Sequence, residues 1–148
     1  VLIQRVKSAK VIVEGQTVSE IGHGLLLLVG IGKDDIQEDI ERLSKKISNL
    51  RVFEDKDGKM NLDIKQAEGE ILSVPQFTLY ADTRKGNRPG FDLSALPEKG
   101  EEFWKRFNSL LKQEGIDVKE GVFGAHMQVE LVNDGPVTIW LDSDAVNK

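Results

Sequence analysis

The stretch that decides the fold is GLLLLVGI, residues Gly24 to Ile31, an unbroken apolar run set between glycines. A half-exposed strand would alternate apolar and polar residues, so this run indicates a strand buried on both faces. Two alternating stretches, 2–15 and 16–22, precede it around a turn at Gly15. Residues 1–31 therefore predict three strands that form the core of a sheet.

Two amphipathic helices are predicted outside this core. The first covers about 36–50, because apolar residues recur there at spacings of four and three: Ile36, Ile40, Leu43, Ile47 and Leu50. The second begins near Pro97, a residue that suits the first helical position, and ends before Gly115. Its apolar side carries Phe103, Trp104, Phe107, Leu110 and Leu111.

The rest of the chain reads as strands and turns. The pair Asp57-Gly58 is a hairpin signal. Further strands are predicted from 51, over 70–80 (EILSVPQFTLY), over 125–134 (AHMQVELVND) and over 135–143 (GPVTIWLDS), with a long loop at 81–96. The fold class predicted for residues 1–148 is mixed α/β: a single domain with a mixed or largely antiparallel sheet covered by two helices.

Composition narrows the class of protein. The chain has 148 residues, no cysteine and a formal charge of −5. The lack of cysteine excludes a disulfide framework, a thiolate zinc site and a cysteine nucleophile. No apolar run approaches the ~20 residues that span a bilayer, and the N-terminus alternates like a strand rather than a signal peptide. The sequence predicts a soluble intracellular protein with no membrane partner.

A net negative charge argues against indiscriminate coating of nucleic acid, so an RNA partner would need a local basic patch. One candidate patch is the loop DTRKGNRPG, 82–90, with Arg84, Lys85 and Arg88. A solvated surface loop is the alternative interpretation of these charges.

Several familiar site patterns fail. GIGKD at 30–34 follows a strand and precedes a helix, but it lacks the first glycine and the final Ser or Thr of a phosphate loop. His23 and His126 are far apart and lack metal-ligand spacing. No G-x-S-x-G segment is present. An enzyme with this sequence would work without a thiol, a metal, a cofactor or the usual hydrolase triad.

Two stretches carry a functional signal. In SVPQFTL, 73–79, Pro75 indicates an edge, a bulge or a strand end, where backbone N–H groups can face a ligand. In NDGPVT, 133–138, the Gly135-Pro136 pair forms a rigid elbow that can expose carbonyl groups. Together they would supply donors for an oxyanion and acceptors for an ammonium group. A wetted edge strand and a simple turn remain the alternatives.

These two stretches, and others along nearly the whole chain, resemble the D-aminoacyl-tRNA deacylases. The specific motifs are a Ser-x-x-Gln-Phe-Thr-Leu segment at 73–79 and an Asn-x-Gly-Pro-x-Thr segment at 133–138. LIQRV, GLLLLVG, GKMNLD, QFTLYADTRKGNRP and MQVELVNDGPVT extend the resemblance. One departure is Pro75, where many members carry serine, so no hydroxyl is available at that place.

The resemblance implies the barrel-like fold of that family and a homodimer. It also implies that the Gly135-Pro136 peptide is cis and enters the partner's active site as a chiral filter. Its carbonyls would accept from the substrate's α-amino group, and an L side chain would collide with the elbow. Glycine has no side chain, so glycyl-tRNA(Ala) is an expected second substrate beside D-aminoacyl-tRNA.

Roles for other residues also follow from the resemblance. The N–H groups of Phe77 and Thr78 would stabilise the oxyanion, with Gln76 in support. Either the Thr78 hydroxyl is the nucleophile, or a ribose hydroxyl positions water; both stay open. Arg5 would hold the elbow and Met127 would line the pocket, core packing being the alternative for Met127. The basic loop residues Arg84, Lys85 and Arg88 would contact tRNA phosphates. No metal, no cofactor and no DNA partner are expected, and the location implied is the cytoplasm.

Two competing functions are distinguishable. The editing domain that removes L-serine from threonyl-tRNA in archaeal synthetases is related, but NDGPVT and a stand-alone length favour the D-specific enzyme. A non-enzymatic nucleic-acid-binding module would show exposed aromatics among basic residues. Aromatic residues make up only 6% of this chain, and most are predicted on core faces.

Overall fold

The computed structural model describes residues 1–146; positions 147 and 148 of the predicted domain lie outside the described residues. The elements, in chain order, are β1 (Leu2–Val13), β2 (Gln16–Ile21), β3 (Gly24–Val29), α1 (Gln37–Ser48), β4 (Phe53–Glu54), β5 (Met60–Leu62), β6 (Glu70–Pro75), α2 (Pro97–Gln113), β7 (Asp117–Glu120) and β8 (Gln128–Trp140).

One six-stranded sheet dominates the molecule, in the order β2-β1-β3-β6-β7 with β8 against β1. Strand β1 pairs with β8 along one edge and, along the other, with β3 at Leu2–Val6 and β2 at Ala9–Val13. A strand shared in this way curls the sheet into a nearly closed, barrel-like form. Pairing is antiparallel around β1 and parallel between β3, β6 and β7, so the prediction of a mixed α/β fold is confirmed.

Strand β3 is the centre of the core, as its apolar run predicts. Leu25, Leu26 and Leu27 are at most 1% exposed. Leu25 and Leu27 point into the cluster beneath the two helices, and Leu26 points into a second cluster on the opposite face of the sheet. Because successive side chains of a strand alternate between faces, both faces must be covered for such a run to be stable.

Both helices lie close to their predicted bounds. In α1, Ile40 and Ile47 are buried beneath the helix, and in α2 Phe107 and Leu111 are buried in the same cluster. Pro97 occupies the first turn of α2, where its missing N–H leaves no helical hydrogen bond unmade. The hairpin at Asp57-Gly58 joins β4 to β5, and Gly58 has φ +74°.

Two sequence predictions are wrong in detail, and one strand was missed. The strand predicted over 70–80 ends at Pro75, and Phe77–Tyr80 forms a 3₁₀ turn. The two strands predicted over 125–143 are one strand, β8, because both halves pair with the same neighbour, β1. Strand β7 was not predicted, because its short polar sequence, Asp117–Glu120, carries little apolar periodicity.

Candidate active site

The Gly135-Pro136 pair lies in a bulge of β8. Asn133 pairs with Val6 and Thr138 with Gln4, so four residues of β8 face a single residue of β1, Arg5. The Gly135-Pro136 peptide is cis, and both residues are exposed. The bulge therefore presents its backbone to solvent.

Glycine is required at position 135 by two features. Its φ is +148°, a conformation that L side chains rarely adopt. A Cβ added there would lie 2.6 Å from Val137 Cγ2 and 2.8 Å from the Val137 nitrogen. Since one of these atoms belongs to the backbone, a larger residue would force the bulge to rearrange.

Arg5 holds the bulge from below. Its side chain is buried, its Nε donates to the Asp134 carbonyl at 2.9 Å, and its Nη1 donates to the Val52 carbonyl at 2.7 Å. Two carboxylates also lie near the guanidinium, that of Glu54 at 3.7 Å from Nη2 and that of Asp134 at 4.0 Å from Nε. Arg5 thus joins the bulge to the segment that leads into the β4–β5 hairpin.

The second predicted segment begins where β6 ends. The Gln76 N–H donates to the Val29 carbonyl at 2.8 Å, and the chain then turns into Phe77–Tyr80. The N–H groups of Phe77 and Thr78 begin this turn, and among residues 1–146 neither has a hydrogen-bond acceptor. The Gln76 side-chain amide donates to the Thr78 hydroxyl.

An apolar groove of about 580 Å³ opens beside this turn. Phe77 lines this groove and is 57% exposed. Its ring packs edge-to-face against that of Phe91, with ring centroids 4.9 Å apart. Pro75, Phe123 and Met127 also form its walls. The groove exceeds any single amino-acid side chain in volume and is mostly apolar, with Gln76, Ser94 and His126 among its polar edges.

Met127 has two roles. It lines the groove and also packs against the second core cluster, the one that contains Leu26. Its sulfur accepts from the Val122 N–H at 3.4 Å. Met127 thus contacts both the groove and the core, and a contact with substrate stays a prediction.

The structure does not bring the two predicted segments together in one chain. Strands β1 and β3 lie between β8 and β6. The groove is lined by Gln76 and Phe77 but not by Gly135 or Pro136, and no hydrogen bond joins the segments within residues 1–146. A single described chain holds the Phe77 and Thr78 N–H groups and the Gly135-Pro136 elbow at separate places.

The predicted basic loop is exposed, but among residues 1–146 only one of its three cationic side chains is paired with a carboxylate. Arg84 is paired with Asp82 through Nε at 2.8 Å and Nη2 at 2.7 Å. Hydrogen bonds from the Arg84 side chain and backbone lower the pKa of Asp82 to about 2. Lys85 and Arg88 form no ion pair with any residue of the described chain.

Some site residues were not predicted. Phe91 and Phe123 come from loops and meet the groove only in the folded chain. Ser73 of the family motif is fully buried, and its hydroxyl accepts from the Trp104 indole N–H at 2.9 Å. Ser73 therefore anchors α2 to β6 and does not face the groove.

Among residues 1–146, no three His, Cys, Asp or Glu side chains form a metal-binding group. None of the described helices is long and apolar enough to cross a membrane.

Comparison with known proteins shows the family to which this chain belongs. Residues 2–142 match the family model described as D-Tyr-tRNA(Tyr) deacylase. A D-aminoacyl-tRNA deacylase of Thermotoga petrophila is 58% identical over 142 residues, which are 96% of this chain and 95% of that protein.

Solved structures agree in fold. The c-Myc DNA Unwinding Element Binding Protein superposes with a TM-score of 0.89 at 43% identity, covering 95% of this chain and 96% of the other. A probable eukaryotic D-amino acid tRNA deacylase gives a TM-score of 0.81 at 17% identity, covering 93% and 95%. At that identity the second likeness concerns the fold alone.

A barrel-like α/β fold with free backbone donors beside an apolar groove suits a hydrolase of the deacylase class, and the prediction of such an enzyme is confirmed. The chain belongs to the D-Tyr-tRNA(Tyr) deacylase family.

Proposed function

We propose that the protein hydrolyses the ester of D-aminoacyl-tRNA and rejects L-aminoacyl-tRNA by the backbone of Gly135-Pro136. The observation that carries this proposal is the exposed bulge itself, held by buried Arg5 and open to solvent at its two central residues. Carbonyl groups fixed in this way accept from the substrate's α-ammonium group. The side chain of an L-amino acid would point into the elbow, whereas that of a D-amino acid would point away.

Selection by main-chain atoms leaves the substrate's side chain unread. The enzyme should accordingly accept D-amino acids of many kinds. Glycine has no side chain to collide, so glycyl-tRNA, including glycine mischarged on tRNA(Ala), should also be hydrolysed.

The N–H groups of Phe77 and Thr78 are proposed to stabilise the oxyanion. Both lack an acceptor within the described chain, and Phe77 lines the groove. In other hydrolases one such donor is worth about 3 kcal/mol of transition-state stabilisation. The Gln76 amide fixes the Thr78 hydroxyl, which holds this turn in one conformation.

A homodimer is proposed to unite the two segments. Among the strands of residues 1–146, β8 pairs with β1 alone, which leaves its other edge available to a second chain. Val132 and Trp140 on this strand are 52% and 55% exposed. Contact along this face would carry the elbow of one subunit to the Phe77–Thr78 turn of the other.

The tRNA end is proposed to bind at the groove and the basic loop. Phe77, Phe91 and Phe123 offer surfaces for stacking the terminal base. Lys85 and Arg88 carry free charges for backbone phosphates, which would position the substrate without reading its sequence. Because charged tRNA is made in the cytoplasm, we propose that location for the protein.

The decisive experiment compares hydrolysis of D- and L-tyrosyl-tRNA by the purified protein, with EDTA present in a parallel assay. We expect rapid loss of the D-ester alone, unchanged by EDTA. Equal rates on both esters would remove the chiral filter, and no hydrolysis of either would remove the activity.

A further inference from the structure

In the bulge of β8, side chains form hydrogen bonds in place of the missing strand pairing. One of these side chains, that of Asn133, has no role in the function proposed above. Between Asn133 and Thr138 the ladder to β1 is interrupted, so Asp134, Gly135, Pro136 and Val137 have no strand partner there. Arg5 supplies a donor to the first of these residues, at the Asp134 carbonyl. The far side of the bulge is held differently.

The carboxamide of Asn133 closes the bulge. Its Oδ1 accepts from the Val137 N–H at 2.8 Å, and its Nδ2 donates to the Val137 carbonyl at 3.1 Å. Nδ2 also lies 3.1 Å from the Thr138 hydroxyl oxygen. The side chain thus pairs with both polar groups of Val137, as a neighbouring strand would.

The orientation of this carboxamide is fixed by chemistry. A backbone N–H can only donate and a backbone carbonyl can only accept. The oxygen must therefore face the Val137 N–H and the nitrogen the Val137 carbonyl. Aspartate can reproduce the first contact but places an acceptor against an acceptor at the second.

We propose that Asn133 is a positioning residue that sets the direction of the Gly135 and Pro136 carbonyls and so the preference for D over L substrates. The inference rests on the proposed function, because it assigns to Asn133 the aim of the proposed filter. Asn133 acts through the turn and touches neither the ester nor the oxyanion donors. Hydrogen bonds thus fix the residues on both sides of the elbow: Arg5 binds Asp134, and Asn133 binds Val137.

Two readouts test this role. The first is the ratio of kcat/KM for D-tyrosyl-tRNA to that for L-tyrosyl-tRNA. The second is the hydrogen-exchange rate of the Val137 amide, measured by NMR. The variants are Asn133→Ala, which removes every contact, and Asn133→Asp, which keeps the acceptor for Val137. Asn49→Ala is the matched control, because Asn49 is an exposed asparagine at the end of α1.

For Asn133→Ala we expect the D-to-L ratio to fall at least tenfold and the Val137 amide to exchange at least tenfold faster. Asn133→Asp should keep slow exchange at Val137 and show a ratio between those of the wild type and Asn133→Ala. The Asn49 variant should match the wild type in both readouts. If Asn133→Ala does not fold, the ratio of Asn133→Asp decides: a wild-type value overturns the proposal.

Other outcomes distinguish a failure of this inference from a failure of the proposed function. Faster Val137 exchange with an unchanged ratio in Asn133→Ala would make the carboxamide a structural clamp only and would overturn this inference. Absence of a D-to-L preference in the wild type would instead overturn the proposed function. The exchange data would in that case still report whether Asn133 holds the bulge.

Discussion

The Nε of Arg5 donates a hydrogen bond of 2.9 Å to the carbonyl oxygen of Asp134, immediately before Gly135. A buried guanidinium therefore sits directly beneath an exposed turn, and it is held there by a second carbonyl, that of Val52, at 2.7 Å. Position 5 thus couples the stability of the sheet to the shape of the elbow.

Replacing Arg5 with methionine should impair both stability and activity. The change keeps much of the apolar stem but leaves the buried Val52 carbonyl and the partly buried Asp134 carbonyl without their donor. Since hydrogen bonds to charged groups contribute about 1.5–3 kcal/mol each, we expect the free energy of unfolding in urea to fall by about 3 kcal/mol. Arg106→Met on the exposed face of α2 should change it by less than about 0.5 kcal/mol. Equal effects of the two variants would contradict the contacts described for Arg5.

Adding a methyl group at Gly135 should strongly reduce D-specific hydrolysis. The new Cβ would meet Val137 within 2.8 Å, and the positive φ adds backbone strain. Such strain costs about 1–3 kcal/mol, so the protein should still fold while the elbow rearranges. We expect the rate on D-tyrosyl-tRNA to fall about 100-fold. Gly22→Ala is the control, because nothing lies within 4 Å of a Cβ at that position. A Gly135→Ala enzyme with the wild-type rate would exclude a role for the elbow.

Thr78→Val should distinguish backbone from hydroxyl catalysis. The substitution removes the hydroxyl and keeps the N–H. If the N–H groups stabilise the oxyanion, single-turnover rates should fall by less than about tenfold, well short of the 10²–10³ lost with an oxyanion donor. A larger loss in Thr78→Val, restored in Thr78→Ser, would identify the hydroxyl as the nucleophile.

The basic loop should show a hierarchy of charges in tRNA binding. Each phosphate contact contributes about 0.7–0.9 to the slope of log K against log salt, so Lys85→Ala should reduce that slope by this amount. Arg84→Ala should reduce it less, because Asp82 already pairs with Arg84. Asp82→Asn should free Arg84 and tighten binding. Lys56→Ala, an exposed lysine in the β4–β5 hairpin outside the basic loop, should leave the slope unchanged.

The pH range of this pairing follows from the pKa of Asp82. The pKa is lowered to about 2, so the carboxylate is charged and the pair is intact above the ordinary value near 3.8. The pair is lost only as the pH falls through about 2. The difference between Arg84→Ala and Lys85→Ala should therefore be constant from pH 5 to about 8, measured by the same salt titration. A difference that changed across this range would contradict the assignment.

The hydrogen bond between Trp104 and Ser73 should stabilise the fold. Trp104 also lines the groove, but Trp104→Phe keeps an aromatic wall there, so the D-to-L preference should be unchanged. Both groups are buried, so Trp104→Phe leaves the Ser73 hydroxyl unpaired and should cost about 1–3 kcal/mol of unfolding free energy. Adding Ser73→Ala to this variant should recover part of the loss. Loss of the D-to-L preference in Trp104→Phe would contradict a purely structural role for this pair.

Periodic apolar patterns made much of the fold predictable. The run at Leu25–Val29 and the spacing of Ile40 and Ile47 report burial directly, because burial selects apolar residues at the period of the element. The continuity of β8 across its bulge was not predictable in this way. Whether Asn133 and Thr138 belong to one strand depends on a shared neighbour, β1, more than a hundred residues away in sequence.

The candidate site was predictable only where a motif marks it. Gly135, Pro136 and Gln76 stand in motifs, and the resemblance supplied roles for them. The groove walls Phe91 and Phe123 come from loops without periodicity, so their meeting depends on the tertiary fold. The pairing of Arg84 with Asp82 was also missed, because a count of cations does not show which are already neutralised.

The exposed backbone of the β8 bulge has a consequence for mutational tolerance. Codon changes alter side chains, but they cannot delete a peptide carbonyl or, outside proline, a peptide N–H. Under the proposed mechanism, substrate selection and oxyanion stabilisation rest on such backbone groups, so most side-chain substitutions do not remove them. The enzyme's vulnerability shifts to the few residues that fix backbone direction, and genetic screens for loss of function should therefore concentrate at Gly135, Arg5 and Asn133.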